Sequence, residues 1–218
     1  PAPKAKPTTQ PASLRTAADA KNLLIGAAIF PEGLKNKPYA STLAKEFNFI
    51  TAENVMKWAL IQPEPDKWNF APADELIEFA VKNKMKVKGH CLLWHEALPK
   101  YVTKDMTADQ LRDAMRKHIF GEVGHFKGKV VAWDVVNEAV DDKEGMRKSI
   151  FFEKLGEGYI AEAFHLAHKA DPDALLIYND FGGEGLGGKS DRIYELVKKL
   201  VDQKVPIGGV GLQMHISA

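Results

Sequence analysis

Short runs of apolar residues recur along the chain, and most of them are separated by segments with helical periodicity. The apolar runs are 23–30, 47–54, 86–94, 130–138, 174–180 and 206–215, and the helical segments are 72–83, 107–120, 157–170 and 190–203. Strands that are apolar along their whole length are typical of parallel sheets covered by helices. The sequence therefore predicts an α/β fold with six strand-helix units.

Six such units fit either a doubly wound sheet or most of a (β/α)8 TIM barrel. No glycine-rich phosphate-binding turn follows the first run, which weakens the doubly wound alternative. Polar residues also gather at the carboxyl end of nearly every run, where barrel enzymes build their sites. We therefore expect a TIM barrel over 14–218, limited to its first six units. A Pro-rich tail or linker is expected over 1–13, because four prolines fall within the first eleven residues.

Composition limits the partners that this chain can have. Thirty basic and 29 acidic side chains leave a formal net charge of +1. That balance provides no charged surface for nucleic acid or for an anionic membrane. No apolar run approaches the roughly 18–20 residues that cross a bilayer. We therefore expect neither nucleic acid nor a membrane as a partner.

Polar and charged side chains end the predicted strands, and in a barrel they would converge on one rim. They are Glu53, Asn54, Lys57, His90, Trp94, His95, Asn137, Glu138, Tyr178, Asn179, Asp180, Gln213 and His215. The set contains no compact group of metal ligands. It suits a ligand rich in hydroxyl groups, because amides and carboxylates bind hydroxyls and indoles stack on sugar rings. Taken singly, His90 also fits a core histidine, and Asp180 equally fits a loop cap.

The adjacent pair Asn137-Glu138 ends the apolar run VVAWDVVNEAV (130–140). Strand alternation would send these two side chains to opposite faces of the sheet. Both can serve one site only if the strand ends or bulges there, which is common beside active sites. Asp134, within the run, is expected to be buried with a hydrogen-bond partner and to have a structural role.

Five stretches resemble glycoside hydrolase family 10, the endo-β-1,4-xylanases, from about residue 14 to the end of the chain. They are ITAENVMKW, GHCLLWHEALPKYV, VVAWDVVNEAV, YIAEAFHLAHKADPDALLIYNDF and GVGLQMHIS, in the order of the family. The resemblance implies hydrolysis of the xylan backbone with retention of configuration. It implies no cofactor and no metal, because the reaction needs only two carboxyl groups.

The resemblance also implies a role for individual residues. Glu138 matches the general acid/base, and Asn137 matches the amide that holds the sugar 2-hydroxyl. The other matches are His90 and Lys57 for hydroxyl contacts at the cleaved sugar, Trp94 for its hydrophobic wall, Glu53 and Asn54 for the next xylose, and Gln213 and His215 for positioning the nucleophile. Tyr178, from the list of strand ends, is added as a substrate contact.

A retaining glycosidase also needs a nucleophilic carboxylate. In the family that the chain resembles, this residue ends strand seven in a segment resembling ITE. We therefore expect the nucleophile beyond residue 218, and we expect the C-terminal remainder of the same barrel as a partner of the six units.

Two other functions are compatible with these patterns. One is a non-catalytic fragment that binds xylan, and the other is a retaining glycosidase acting on β-glucan, although the stretch GHCLLWHEALP favours xylanases. Because polymeric xylan lies outside cells, we expect a secreted protein, either extracellular or periplasmic.

Overall fold

The computed structural model describes residues 12–215, and these contain one six-stranded parallel sheet. The strands are β1 (Gly26–Ile29), β2 (Phe49–Ala52), β3 (Lys86–Trp94), β4 (Ala132–Asn137), β5 (Leu175–Asp180) and β6 (Gly209–Leu212). Each strand pairs with the next one along the chain. A doubly wound sheet would reverse its strand order, so the unbroken order confirms the first six strands of a barrel. Most of the predicted Pro-rich tail lies outside the described residues.

Helices cover the outer face of the sheet. Over residues 12–215 they are α1 (Leu14–Asp19), α2 (Pro31–Leu34), α3 (Lys37–Glu46), α4 (Trp58–Ile61), α5 (Ala71–Lys82), α6 (Ala108–His125), α7 (Ile150–Leu155), α8 (Tyr159–Ala170) and α9 (Gly188–Asp202). The predicted capping box at the start of α6 is present, with Thr107 and Gln110 each bonding the other's backbone. No helix in this part of the chain has both the length and the apolar character needed to span a bilayer.

Four of the nine helices of the described region, α5, α6, α8 and α9, match the predicted helical segments. The other five were not predicted. Four of these have only four to six residues, too few turns for a repeating apolar stripe to be recognised. The fifth, α3, buries only Leu43, so its sequence carries almost no apolar pattern.

Strand β4 is buried along its whole length. On its outer face the Trp133 ring lies so close to β3 that a Cβ added at Gly89 would stand 2.2 Å from it. The pairing register of β4 with β5 shifts between Asp134 and Val136, and the strand ends at Asn137. Glu138 then adopts a left-handed conformation, with φ of 57°. The predicted irregularity at the end of this strand is therefore confirmed, and it frees Glu138 from strand alternation.

The six strands form an arc with an open inner face. Within the described residues β1 pairs only with β2, and β6 only with β5. Near the amino ends of the strands, the inner face borders a cavity of about 580 Å³ whose lining includes Leu24, Val131 and Leu175. Roughly 38–51% of each of these three side chains is exposed, so this half of the barrel interior presents apolar surface.

Candidate active site

Side chains from the carboxyl ends of the strands line a second cavity, of about 510 Å³. Seven of the ten site residues predicted from the sequence lie in its wall: Glu53, His90, Trp94, Asn137, Glu138, Gln213 and His215. The predicted convergence of the strand ends is therefore present. Among residues 12–215, no three His, Cys, Asp or Glu side chains come together in a way that could hold a metal ion.

The carboxylate of Glu138 stands at the centre of this group and accepts three hydrogen bonds. The Trp94 indole donates to Oε2 at 3.0 Å. The amides of Asn137 and Gln213 donate to Oε1 at 3.1 and 3.0 Å. All three donors are neutral, and within the described region no cation forms an ion pair with this carboxylate. The group is thus held in a fixed orientation by three neutral partners.

A chain of amides orients Asn137. Its side-chain oxygen accepts from Asn179 at 2.7 Å and from Gln213 at 3.3 Å, which turns its NH2 group toward Glu138. The oxygen of the Gln213 amide lies 2.8 Å from Nε2 of His215. Asn179 fits here because β6 has Gly211 opposite, where a Cβ would come within 2.2 Å of the Asn179 oxygen. Asn179 was listed from the sequence as a strand-end residue, but no role was assigned to it.

His90 is anchored through Asp134. The Asp134 carboxylate is fully buried, and its Oδ2 lies 2.8 Å from Nδ1 of His90 and 2.9 Å from Nζ of Lys88. Because a carboxylate can only accept, the hydrogen of the neutral His90 ring is on Nδ1, and Nε2 is left as the acceptor. The prediction that Asp134 is buried and hydrogen-bonded is confirmed. Lys88 was missed, because a lysine within a strand reads as a solvent-facing residue.

Lys57 and Asn54 lie at the rim of this cavity. The Lys57 ammonium bonds Oδ1 of Asn54 at 2.8 Å. It also lies 4.9 Å from the centre of the Trp94 ring, within cation–π range. Asn54 and Glu53 are both exposed. These residues therefore present polar groups at the mouth of the site, next to the indole that holds Glu138.

Tyr178 requires a correction. Its side chain is fully buried, and its hydroxyl accepts the backbone N–H groups of Ala139 at 3.1 Å and Val140 at 3.2 Å. The hydroxyl donates to Oδ2 of Asp180 at 2.6 Å. The physical reason is strand alternation: Asn179 faces the cavity, so its neighbours on β5 face outward. Tyr178 therefore braces the backbone behind Glu138 and does not reach the cavity.

Arg147, in the loop between β4 and α7, was also missed. Its Nε donates to the backbone carbonyl of Glu138 at 3.0 Å. The charge of Arg147 also affects His95, whose ring lies edge-on to Trp94. Burial lowers the pKa of His95, and the nearby Arg147 guanidinium lowers it further. Nothing in the sequence around Arg147 indicates this contact, since the path of a loop cannot be read from residue types.

The comparisons with known proteins agree with this geometry. The model for Glycosyl hydrolase family 10 matches residues 13–218. Endo-1,4-beta-xylanase B of Thermotoga neapolitana is 42% identical over 215 residues, which cover 95% of this chain and 61% of that protein. The chain therefore spans about three fifths of the length of this relative.

Two solved structures are similar over most of the chain. Xylanase 10B of Thermotoga petrophila, in complex with xylobiose, has a TM-score of 0.91 and 42% identity, with 95% of this chain and 64% of that chain covered. An intracellular xylanase of Thermoanaerobacterium saccharolyticum has a TM-score of 0.85 and 39% identity, with 88% and 64% covered. In both comparisons, this chain aligns with 64% of the length of the solved xylanase.

Proposed function

Because the chain belongs to glycosyl hydrolase family 10, we propose that it carries the acid/base part of an endo-β-1,4-xylanase that cleaves the xylan backbone with retention of configuration. The observation that carries this proposal is the setting of Glu138. Its carboxyl group stands in a cavity at the carboxyl end of a parallel barrel sheet, oriented by three neutral donors. A carboxyl group in this setting can both give and take a proton.

The reaction that we propose has two steps. In the first, a carboxylate nucleophile bonds to the anomeric carbon while the glycosidic C–O bond breaks and Glu138 gives its proton to the departing oxygen. In the second, Glu138 takes a proton from water as the water oxygen displaces the nucleophile from the same carbon. Two displacements at one carbon retain its configuration.

We assign the nucleophile to a segment outside the six described strands. Two other carboxylates line the cavity. Asp134 is bound by Lys88 and His90 and is fully buried, and Glu53 is exposed at the rim. A retaining enzyme needs its second carboxylate roughly 5–5.5 Å from the first. The open side of the arc, between β6 and β1, is where the rest of a barrel would supply it.

The substrate contacts that we propose use side-chain atoms that line the cavity or its rim and can still bind a sugar. The amide of Asn137 can reach a sugar 2-hydroxyl beside the acid, and Nε2 of His90 can accept from another hydroxyl. The Trp94 indole forms an apolar wall for the ring, and Lys57 extends the contacts to the rim. The complex of the Thermotoga petrophila neighbour with xylobiose supports a β-1,4-linked xylose ligand.

The test compares hydrolysis of xylan and of carboxymethyl-cellulose by the purified protein at its full natural length, with intact-mass analysis of the same sample. We expect release of reducing sugar from xylan, and little from the cellulose derivative. Glu138→Gln should retain the fold and lose activity on xylan. Its matched control is Glu144→Gln, at an exposed carboxylate in the loop that follows β4, which should retain activity.

Undiminished xylan hydrolysis by Glu138→Gln would contradict the acid/base assignment. Faster cleavage of the cellulose derivative would favour a β-glucan substrate. Binding of xylan without hydrolysis, by a sample whose mass accounts for a complete barrel, would support the non-catalytic alternative.

We also propose that the protein acts outside the cytoplasm, because xylan is too large to enter cells intact. The intracellular location named for the Thermoanaerobacterium saccharolyticum neighbour is the competing case. Fractionation of the producing cells, followed by detection of the protein with an antibody, would decide between them.

A further inference from the structure

The backbone segment Glu138–Val140, which carries the acid/base, has all six of its polar groups tied to other residues. On the N–H side, Glu138 donates to the carbonyl of Asn179 at 2.8 Å. Ala139 and Val140 donate to the hydroxyl of Tyr178 at 3.1 and 3.2 Å. A turn with every donor satisfied in this way has few conformations open to it.

All three carbonyls of the same segment bind a single residue, Arg147. Its Nε donates to Glu138 at 3.0 Å, its backbone N–H to Ala139 at 2.8 Å, and its Nη2 to Val140 at 3.4 Å. Arg147 is itself restrained, because Nη2 also lies 3.4 Å from Oδ1 of Asp142. Its guanidinium is thus a fixed support against the back of the turn.

The support matters because Glu138 has a positive φ of 57°. A non-glycine residue in this region is strained by about 1–2 kcal/mol, so neighbouring contacts must maintain the conformation. The direction of the Glu138 side chain follows directly from this backbone angle. A bond to the carbonyl of the same residue therefore bears on where the carboxyl group stands.

We propose that Arg147 is a positioning residue for the acid/base. It keeps the Glu138 carboxyl group within hydrogen-bond reach of the glycosidic oxygen of the substrate. This inference rests on the proposed function. It differs from a purely structural role in one respect: loss of Arg147 should impair proton donation more than it impairs binding or nucleophilic attack.

The leaving group of the substrate separates these two possibilities. An aryl xylobioside with an acidic leaving group, such as 2,4-dinitrophenol, departs without a proton, whereas the xylose of xylan or a phenol of high pKa needs one. Because kcat/KM reports the step in which the leaving group departs, a misplaced acid lowers it only for the poor leaving groups. Glu138→Gln defines the full extent of this effect.

Arg15 offers a matched control. Its guanidinium donates to the carbonyls of Ala44, Asn83 and Lys84 at 2.9–3.1 Å. Its side chain is 21% exposed, against 20% for Arg147. Arg15 thus has a comparable set of contacts with carbonyls, but it lies beside the loops that precede the strands.

The experiment measures kcat/KM of Arg147→Met, Arg147→Lys and Arg15→Met on aryl xylobiosides of good and poor leaving groups, using the protein at its full natural length. We expect both Arg147 variants to lose about 10- to 100-fold on the poor leaving groups, the range for a catalytic group displaced by about an ångström. On the dinitrophenyl substrate they should be nearly unchanged, as should the Kd for xylobiose. Arg15→Met should show no dependence on the leaving group.

Equal losses on all substrates, or the same selectivity in Arg15→Met, would overturn the positioning role. If Arg147→Met does not fold, Arg147→Lys decides the question, because lysine can still pair with Asp142 but lacks Nε–H. If the unchanged protein hydrolyses xylan but the losses in the Arg147 variants do not depend on the leaving group, only this inference is rejected and the proposed function stands. No leaving-group dependence in Glu138→Gln would reject the proposed function, and the role of Arg147 with it.

Discussion

Removal of one oxygen atom, by Tyr178→Phe, should destabilise the protein far more than an ordinary loss of a tyrosine hydroxyl. The hydroxyl makes three hydrogen bonds inside the core, two as acceptor from Ala139 and Val140 and one as donor to Asp180. Burial, and then the charge of Asp180, raise the pKa of the phenol well above its ordinary value. The group therefore stays protonated and keeps its role as a donor.

The magnitude follows from what the substitution leaves behind. The N–H of Ala139 has the hydroxyl as its acceptor, so in the variant a buried donor loses its partner. Val140 keeps a contact of 3.3 Å with Asp180. Asp180 loses its shortest bond and keeps its contacts with Phe181 and Lys189. One unsatisfied buried group and one lost bond to a charged group together amount to about 2.5–6 kcal/mol.

The assay is urea denaturation of the purified protein. The free energies of unfolding of the variants are compared from their midpoints, provided that the dependence on urea concentration (the m-value) is unchanged. Tyr159→Phe is the control, because Tyr159 is also buried and Ser149 is the one side chain whose hydrogen bonding lowers the pKa of its hydroxyl. We expect a loss of about 1 kcal/mol for that control. Equal losses in the two variants, or a Tyr178→Phe variant as stable as the parent, would refute the reasoning that this hydroxyl braces the turn behind Glu138.

Two further predictions concern helix α6. Burial raises the pKa of Glu122, which lies 3.2 Å from His118. The folded protein thus keeps Glu122 neutral where the unfolded chain ionises it, so the contribution of Glu122 to stability falls as pH rises from about 4.5 toward its folded pKa. Burial lowers the pKa of His118 to about 3, so His118 contributes the opposite slope up to its unfolded value of 6.5. Above about pH 6.5 the Glu122 slope remains alone, and Glu122→Gln should flatten it in urea titrations at several pH values; an unchanged slope would contradict this assignment. A Cβ added at Gly124 meets no atom within 4 Å, so Gly124→Ala should raise stability by about 0.5–1 kcal/mol. A Cβ added at Gly121 would stand 2.1 Å from the Trp68 ring, so Gly121→Ala should lower stability by about 1–3 kcal/mol. Melting curves in which the two variants change in the opposite order would count against both predictions.

The parts of the site that the sequence predicted correctly depend on one local rule. The carboxyl ends of parallel strands share an edge, so polar residues that directly follow apolar runs meet there. Glu138, His90 and Gln213 could be brought together on this basis although 123 residues separate His90 from Gln213. The same local pattern indicated that β4 had to end or bulge at Asn137.

What the sequence did not predict depends on the facing of side chains and the paths of loops. Tyr178 was taken with the rest of its strand end, although alternation with Asn179 would have directed it outward. Arg147 lies nine residues after the carbonyl that it binds, in a loop whose return path depends on contacts with α9 and β5. Lys88 was overlooked because a lysine in the middle of a strand is usually solvent-facing, and nothing in its sequence indicates the ion pair with Asp134.

Strand β5 holds Glu138 from two sides, and this explains why its three consecutive polar residues differ in role. Asn179 faces the cavity and orients Asn137, which in turn donates to the Glu138 carboxylate. Tyr178 and Asp180 face outward and fix the backbone just after Glu138. The donors to the Glu138 carboxylate all come from β3, β4 and the end of β6, so the described residues by themselves hold this side chain in one orientation. Under the proposed function, a nucleophile supplied by the rest of a barrel would then approach an acid/base that is already in place.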